Sequence, residues 1–258
     1  MTLFGLRSSV VATASISVAC VVSVMLLAGC GGGSGSSGSA ASNMPPPAAT
    51  TFPVQQAMHN MYANGYQKTY TVTGTATDNG QTIPFNGTLQ ITETLLNANA
   101  IFNGQPAIED AMNGSGSVAI GGQTISLANF VQTDIYQTAN NTVLGVTTPT
   151  SYCINQGGNG YPTTAVVGAS GLVSSVACFS DSTKTTAIGT ENINYSVTAG
   201  ASATSATVTL TFTLTSPSNQ QPMVYQANYS IDTSANINAQ SLMYNINING
   251  VQINFTAQ

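Results

Sequence analysis

Cys30, Cys153, Cys178, His59, Glu93 and the adjacent Glu109 and Asp110 are the side chains with chemistry to offer, and their spacing decides what each can do. His59 is the sole imidazole, and no G-x-S-x-G elbow accompanies it, so a nucleophile–base pair has no second half. It falls beside Met58, off the apolar stripe of the helix described below, and reads as a solvated surface residue. Neighbouring residues on a strand point to opposite faces, whereas glycoside hydrolysis needs two carboxyls facing each other across a set gap. Glu109 and Asp110 therefore read as a polar loop. With one His and no third or fourth soft ligand near the cysteines, no metal site is expected. No cofactor and no enzymatic activity are expected either.

Glu93 is the carboxyl that breaks a pattern. Leu89, Ile91, Glu93 and Leu95 share one strand face, while Thr88, Gln90, Thr92 and Thr94 take the other, so Glu93 points toward the expected core. A buried charge without a partner is costly. Three explanations are open: an inward charge guarding an edge strand, an ion pair with Lys68 or Lys184, or a polar group in a ligand cavity.

Leu27, Ala28, Gly29 and Cys30 close an apolar run that begins at Val10, with Arg7 the only charge before it. These four residues resemble the lipobox of bacterial lipoproteins. The resemblance implies cleavage between Gly29 and Cys30, a diacylglycerol on the Cys30 thiol and acylation of the new amine. Two or three acyl chains would hold the protein on a bilayer almost permanently, since each buried methylene contributes about 0.8 kcal/mol. Gly31, where an inner-membrane retention signal would carry Asp, implies outer-membrane delivery in a two-membrane host, with the folded part facing the periplasm. Cleavage by ordinary signal peptidase, giving an unanchored form, and a plain spanning anchor are the alternatives. Residues 31 to 42 are all Gly, Ser and Ala, followed by Pro45, Pro46 and Pro47. This is a leash, spanning about 25 Å over roughly 22 residues by the flexible-chain rule.

Once Cys30 is acylated and Cys20 removed with the signal, Cys153 and Cys178 remain. Two cysteines in an exported domain pair; the bridge would staple the Gly-rich excursion between them. Arg7 leaves with the signal too, so Lys68 and Lys184 stand against the eight acids of the chain. That balance excludes nucleic acid as a partner, because affinity there comes from basic residues neutralising phosphates.

The elements that must position these residues are mostly strands. Val54, Ala57, Met58, Met61 and Tyr62 form one helical stripe, with Pro53 in the first turn and Gly65 as the C-terminal cap; this short helix should lie on a sheet. Afterwards the period becomes two. Ala206, Val208, Leu210, Phe212 and Leu214 alternate with threonines, as Tyr225, Ala227, Tyr229 and Ile231, and Leu242, Tyr244, Ile246 and Ile248, alternate with polar residues. Val251, Ile253 and Phe255 make the last strand. Gly121–Gly122 and Asn249–Gly250 mark tight hairpins.

About ten to thirteen strands follow from such runs and their turn signals. The expected fold is all-β with one short N-terminal helix: an antiparallel meander forming a strongly curved sheet or incomplete barrel, with a two-sheet sandwich as the alternative. The organisation is residues 1–29 signal, 30–53 acylated Cys and linker, and 54–258 a single globular domain. Two functions fit: a non-catalytic module at the outer membrane, binding a protein partner or structural, or a carrier of an apolar or lipidic ligand. The second resembles the half-barrel of periplasmic lipoprotein-trafficking proteins and needs an open cavity of several hundred cubic ångströms.

Overall fold

The structure is a computed structural model describing residues 50–217, 222–248 and 251–258. Gly29, Cys30, the leash and the Asn249–Gly250 pair lie outside the described residues. One helix, α1 (Val54–Asn64), precedes twelve strands. They are β1 (Tyr66–Asp78), β2 (Gln81–Phe102), β3 (Gln105–Ile120), β4 (Gln123–Gln137), β5 (Val143–Thr148) and β6 (Ser151–Gly157). β7 (Ser170–Phe179), β8 (Ala187–Ala199), β9 (Ser205–Thr215), β10 (Met223–Asp232), β11 (Ile237–Ile248) and β12 (Val251–Ala257) complete the chain.

Each strand pairs antiparallel with its sequence neighbours, and β12 pairs back onto β1 from Val72↔Ala257 to Thr77↔Gln252. The sheet thus closes into a barrel, which corrects the expected incomplete barrel and excludes the sandwich. Strong right-handed twist carries a long meander toward its own first strand, and pairing there removes both open edges. The seam is incomplete. β1 pairs with β2 from Tyr66 onward, but with β12 only from Val72.

Alternation sets the two faces of the wall. Tyr70, Val72, Val197, Ala206, Val208 and Leu210 point in and are buried, while Thr69, Thr71 and Thr73 face water. A barrel of eight strands is just filled by its own side chains; twelve strands leave a wider lumen. Long aromatic residues and α1 fill the difference. Phe212, Tyr225, Tyr244 and Phe255 are register partners on β9 to β12 and stack in sequence, with ring centroids 4.0, 5.5 and 4.3 Å apart. Gly74 on β1 then faces both Phe255 and Phe85. A Cβ there would stand 2.5 Å from Phe85 Cζ, Phe255 Cβ and the Asn254 carbonyl oxygen, so the glycine leaves the space the rings occupy.

α1 does not lie on a sheet face as expected; it crosses one mouth of the barrel. All five stripe residues are buried. Gln55 Nε2 donates to the Asn140 carbonyl at 3.3 Å and Asn141 Nδ2 to the Gln55 carbonyl at 3.2 Å, fixing one side. Asn60 Nδ2 donates to the Ala235 carbonyl at 3.1 Å on the other. Gly65 N–H closes the helix on the Met61 carbonyl at 2.8 Å. Alternate connections of the meander share an end, which brings 138–142, 158–169, 200–204 and 233–236 to this mouth, together with the first described residues and Gln258. The opposite mouth carries tight turns, among them Asn79–Gly80 and Gly121–Gly122, whose positive φ angles suit two-residue hairpins. Phe52 precedes the expected domain boundary yet is buried, pairing with Ala165 through hydrogen bonds of 2.8 and 2.9 Å.

Cys153 and Cys178 form a disulfide between register partners on β6 and β7. It ties neighbouring strands inside the wall, toward the ends of β6 and β7 remote from the 158–169 excursion, rather than pinning the excursion itself. A second small core lies outside the barrel: bulges after Leu95 and Asn97 swing the β2–β3 hairpin so that Ala100, Phe102 and Ala107 cover Ile135 and Leu144.

Candidate functional site: carboxyls and tyrosines in the lumen

Four of the eight acids, Glu93, Asp110, Asp134 and Glu191, are buried. Each sits on a different strand at an inward position: β2, β3, β4 and β8. Glu93, Asp134 and Glu191 line an enclosed cavity of about 80 Å³ beneath α1, with Tyr62, Tyr66, Tyr136, Tyr161, Tyr229 and Tyr244 among the other walls. The tyrosines come from α1, β1, β4, the 158–169 connection, β10 and β11, so the site exists only once the barrel is assembled. Tyr62 stacks on Tyr136 with ring centroids 3.8 Å apart, and the Tyr62 and Tyr161 hydroxyls are 3.1 Å apart.

The carboxyls are poorly neutralised from within. Gln132 Nε2 donates to Asp134 Oδ1 at 2.7 Å. Neither oxygen of Asp110 has a hydrogen-bond partner. Among the described residues Glu93 and Glu191 have neither a hydrogen bond nor an ion pair, at 6% and 4% exposure. The two lysines are committed elsewhere. Lys68 Nζ reaches across the incomplete seam and donates at 2.7 Å to the carbonyls of Ala239 and Gln240, at a bulge in β11. Lys184 is exposed, with its ammonium 5.8 Å from the Tyr152 ring centre.

Burial penalises the charged form, and like charges add to it. Desolvation, then Asp134 and Asp110, raise Glu93 well above the ordinary carboxyl range. Asp110 is pushed up to about 7 by burial and by Asp134, its direct register partner. Glu191 is pushed up to about 7 by burial and then Asp134. Asp134 rises only to about 6, because the Gln132 hydrogen bond opposes its burial. Burial likewise raises Tyr62, Tyr66, Tyr136 and Tyr229, which stay neutral phenols. The raised carboxyls of the lumen therefore favour their protonated forms.

The structure separates the sequence candidates. Glu93 faces the lumen; β2 is no edge strand and neither lysine pairs with it, which leaves the ligand-cavity explanation standing. Glu109 and Asp110 lie within β3 rather than in a loop, Asp110 inside and Glu109 on the opposite, half-buried face. The β3 stretch looked loop-like because it belongs to the swung hairpin, where Ala107 on its outward face is buried in the second core and the simple polar–apolar alternation is lost. His59 is half-buried, its Nδ1 3.3 Å from Asn141 Oδ1 at the mouth. Glu191 was overlooked although Glu191, Ile193, Tyr195 and Val197 repeat the signal that marks Glu93. Asp134 gave the opposite signal: its neighbours Val131 and Ile135 are apolar, yet they face outward, Ile135 into the outer core.

No protein-family model, curated protein or solved structure matches the chain.

Proposed function

We propose that the chain is a lipid-anchored envelope lipoprotein whose barrel is a non-catalytic binding or structural module, standing in the periplasm at the outer membrane. The observation that carries this is the orientation of the wall. Barrels that cross membranes present an apolar band to lipid and a polar interior; here threonines face outward while aliphatic and aromatic residues fill the inside. Attachment must then come from outside the barrel, and acyl chains on Cys30 would supply it. Thr50, the first described residue, precedes α1 directly, so the mouth that α1 crosses would face the bilayer and the tight hairpins the periplasm.

The small lumen favours the module over the carrier. Cavities that take drug-sized or larger apolar ligands measure roughly 300–1,000 Å³, against about 80 Å³ here, and this one is lined by three carboxyls. Cys30→Ser tests the anchor: the variant should leave the membrane fraction and stop incorporating labelled palmitate. Unchanged fractionation and labelling would sink the proposal.

A further inference from the structure

We infer that the lumen beneath α1 is a binding site for a small organic ammonium ion, held by Glu93, Asp134 and Glu191 and faced by tyrosine rings. The inference concerns the interior and does not depend on the anchor at Cys30.

Three carboxyls from three strands converge on one cavity, and two of them, Glu93 and Glu191, are more than nine-tenths buried with no partner among the described residues. Such groups need neutralising. No Lys, Arg or His lines the cavity, and the two lysines of the barrel are engaged outside it. The neutralising charge has to come from a bound proton or from a cation brought from outside.

The walls select the kind of cation. Calcium and magnesium need six or more oxygens at short range and zinc about four ligands, and among the described residues no three acidic, His or Cys side chains gather closely enough to hold a metal ion. Tyrosine faces instead suit a larger, weakly hydrated cation whose charge is spread over methyl or methylene groups, by attraction to the ring quadrupole. A water in the liquid occupies about 30 Å³, so about 80 Å³ holds a handful of heavy atoms. That is the size of a methylated or primary ammonium head, and too little for a lipid tail.

A groove abuts the cavity wall. An open groove of about 550 Å³ runs along the end of α1, the start of β1 and the 235–239 segment, and it shares Met61 and Tyr66 with the cavity wall. It lies where β12 stops short of Tyr66, so the start of β1 has no β12 partner on that side.

The test uses the full-length chain in a maltoside detergent, with methylammonium and tetramethylammonium chloride as probes. Sodium chloride at equal ionic strength and neopentyl alcohol, a neutral shape mimic, are the controls. At about ten times the dissociation constant, either ammonium should raise the melting temperature by about 4 °C, and the controls should not. Nuclear Overhauser contacts should join probe methyls to tyrosine ring protons. Glu93→Gln/Glu191→Gln, checked as folded by circular dichroism, should lose at least tenfold in affinity. No shift with either probe, or shifts matched by sodium or retained in the double variant, would overturn the inference and leave protons as the neutralising charge. Neither result bears on whether Cys30→Ser leaves the membrane.

Discussion

A single missing side chain shows how tightly the lumen is packed. Gly74 has an ordinary strand backbone, yet every added Cβ contact is at 2.5 Å and one of them is to backbone oxygen. The rings of Phe85 and Phe255, 6.2 Å apart across it, hold their positions because nothing stands between them. Gly74→Ala should therefore destabilise the barrel by about 1–3 kcal/mol, as overpacking does; urea unfolding measures it, and an unchanged midpoint would show the rings have room to move. Glu93 was legible at this scale, since a carboxyl interrupting an apolar face announces itself. Asp134 was not. Its inward position depends on a hairpin folded over the outside of β4, a tertiary fact that no local alternation contains.

At the scale of elements, α1 and most strands could be read directly, because a helical stripe and a two-residue period are consequences of burying one face. The position of α1 could not. A stripe fixes which side is buried, but a barrel mouth and a sheet face look alike from the helix. The disulfide follows similar logic: that Cys153 and Cys178 pair could be expected from the sequence, while their placement opposite one another on β6 and β7 depends on register. Bridging residues 25 apart in sequence should contribute roughly 3 kcal/mol through the unfolded chain. Cys153→Ala/Cys178→Ala should lower the urea midpoint accordingly while keeping the far-ultraviolet spectrum, since the β6–β7 hydrogen bonds remain. Loss of the strand signal instead would mean that the bridge organises the wall.

For the whole molecule, the buried acids set an unusual response to pH. Carboxyls whose folded pKa is raised hold protons that the unfolded chain has released. Their stabilising contribution is fully present below the unfolded value near 4 and is lost as pH rises through the folded values, about 6 for Asp134 and about 7 for Asp110 and Glu191. Glu93 shifts the same way. The barrel should be more stable at pH 5 than at pH 8, opposite to a protein held by surface carboxylates. Denaturant midpoints across that window test this, and Glu93→Gln/Glu191→Gln should flatten the slope. A midpoint that climbs with pH would show that these groups ionise without penalty.

Closure itself was the least legible property, because whether a meander stops at a trough or meets itself depends on accumulated twist over all its strands. It also has a consequence for biogenesis. Eleven of the twelve pairings join consecutive strands and can form as the polypeptide is made, but Val72 waits for Ala257. Until the final stave is delivered, β1 offers its free hydrogen-bonding side to any passing strand. A nascent chain halted a few residues early would be a sticky trough rather than a slightly weaker barrel, so shielding that unfinished vessel is a burden that falls on the cell's chaperones.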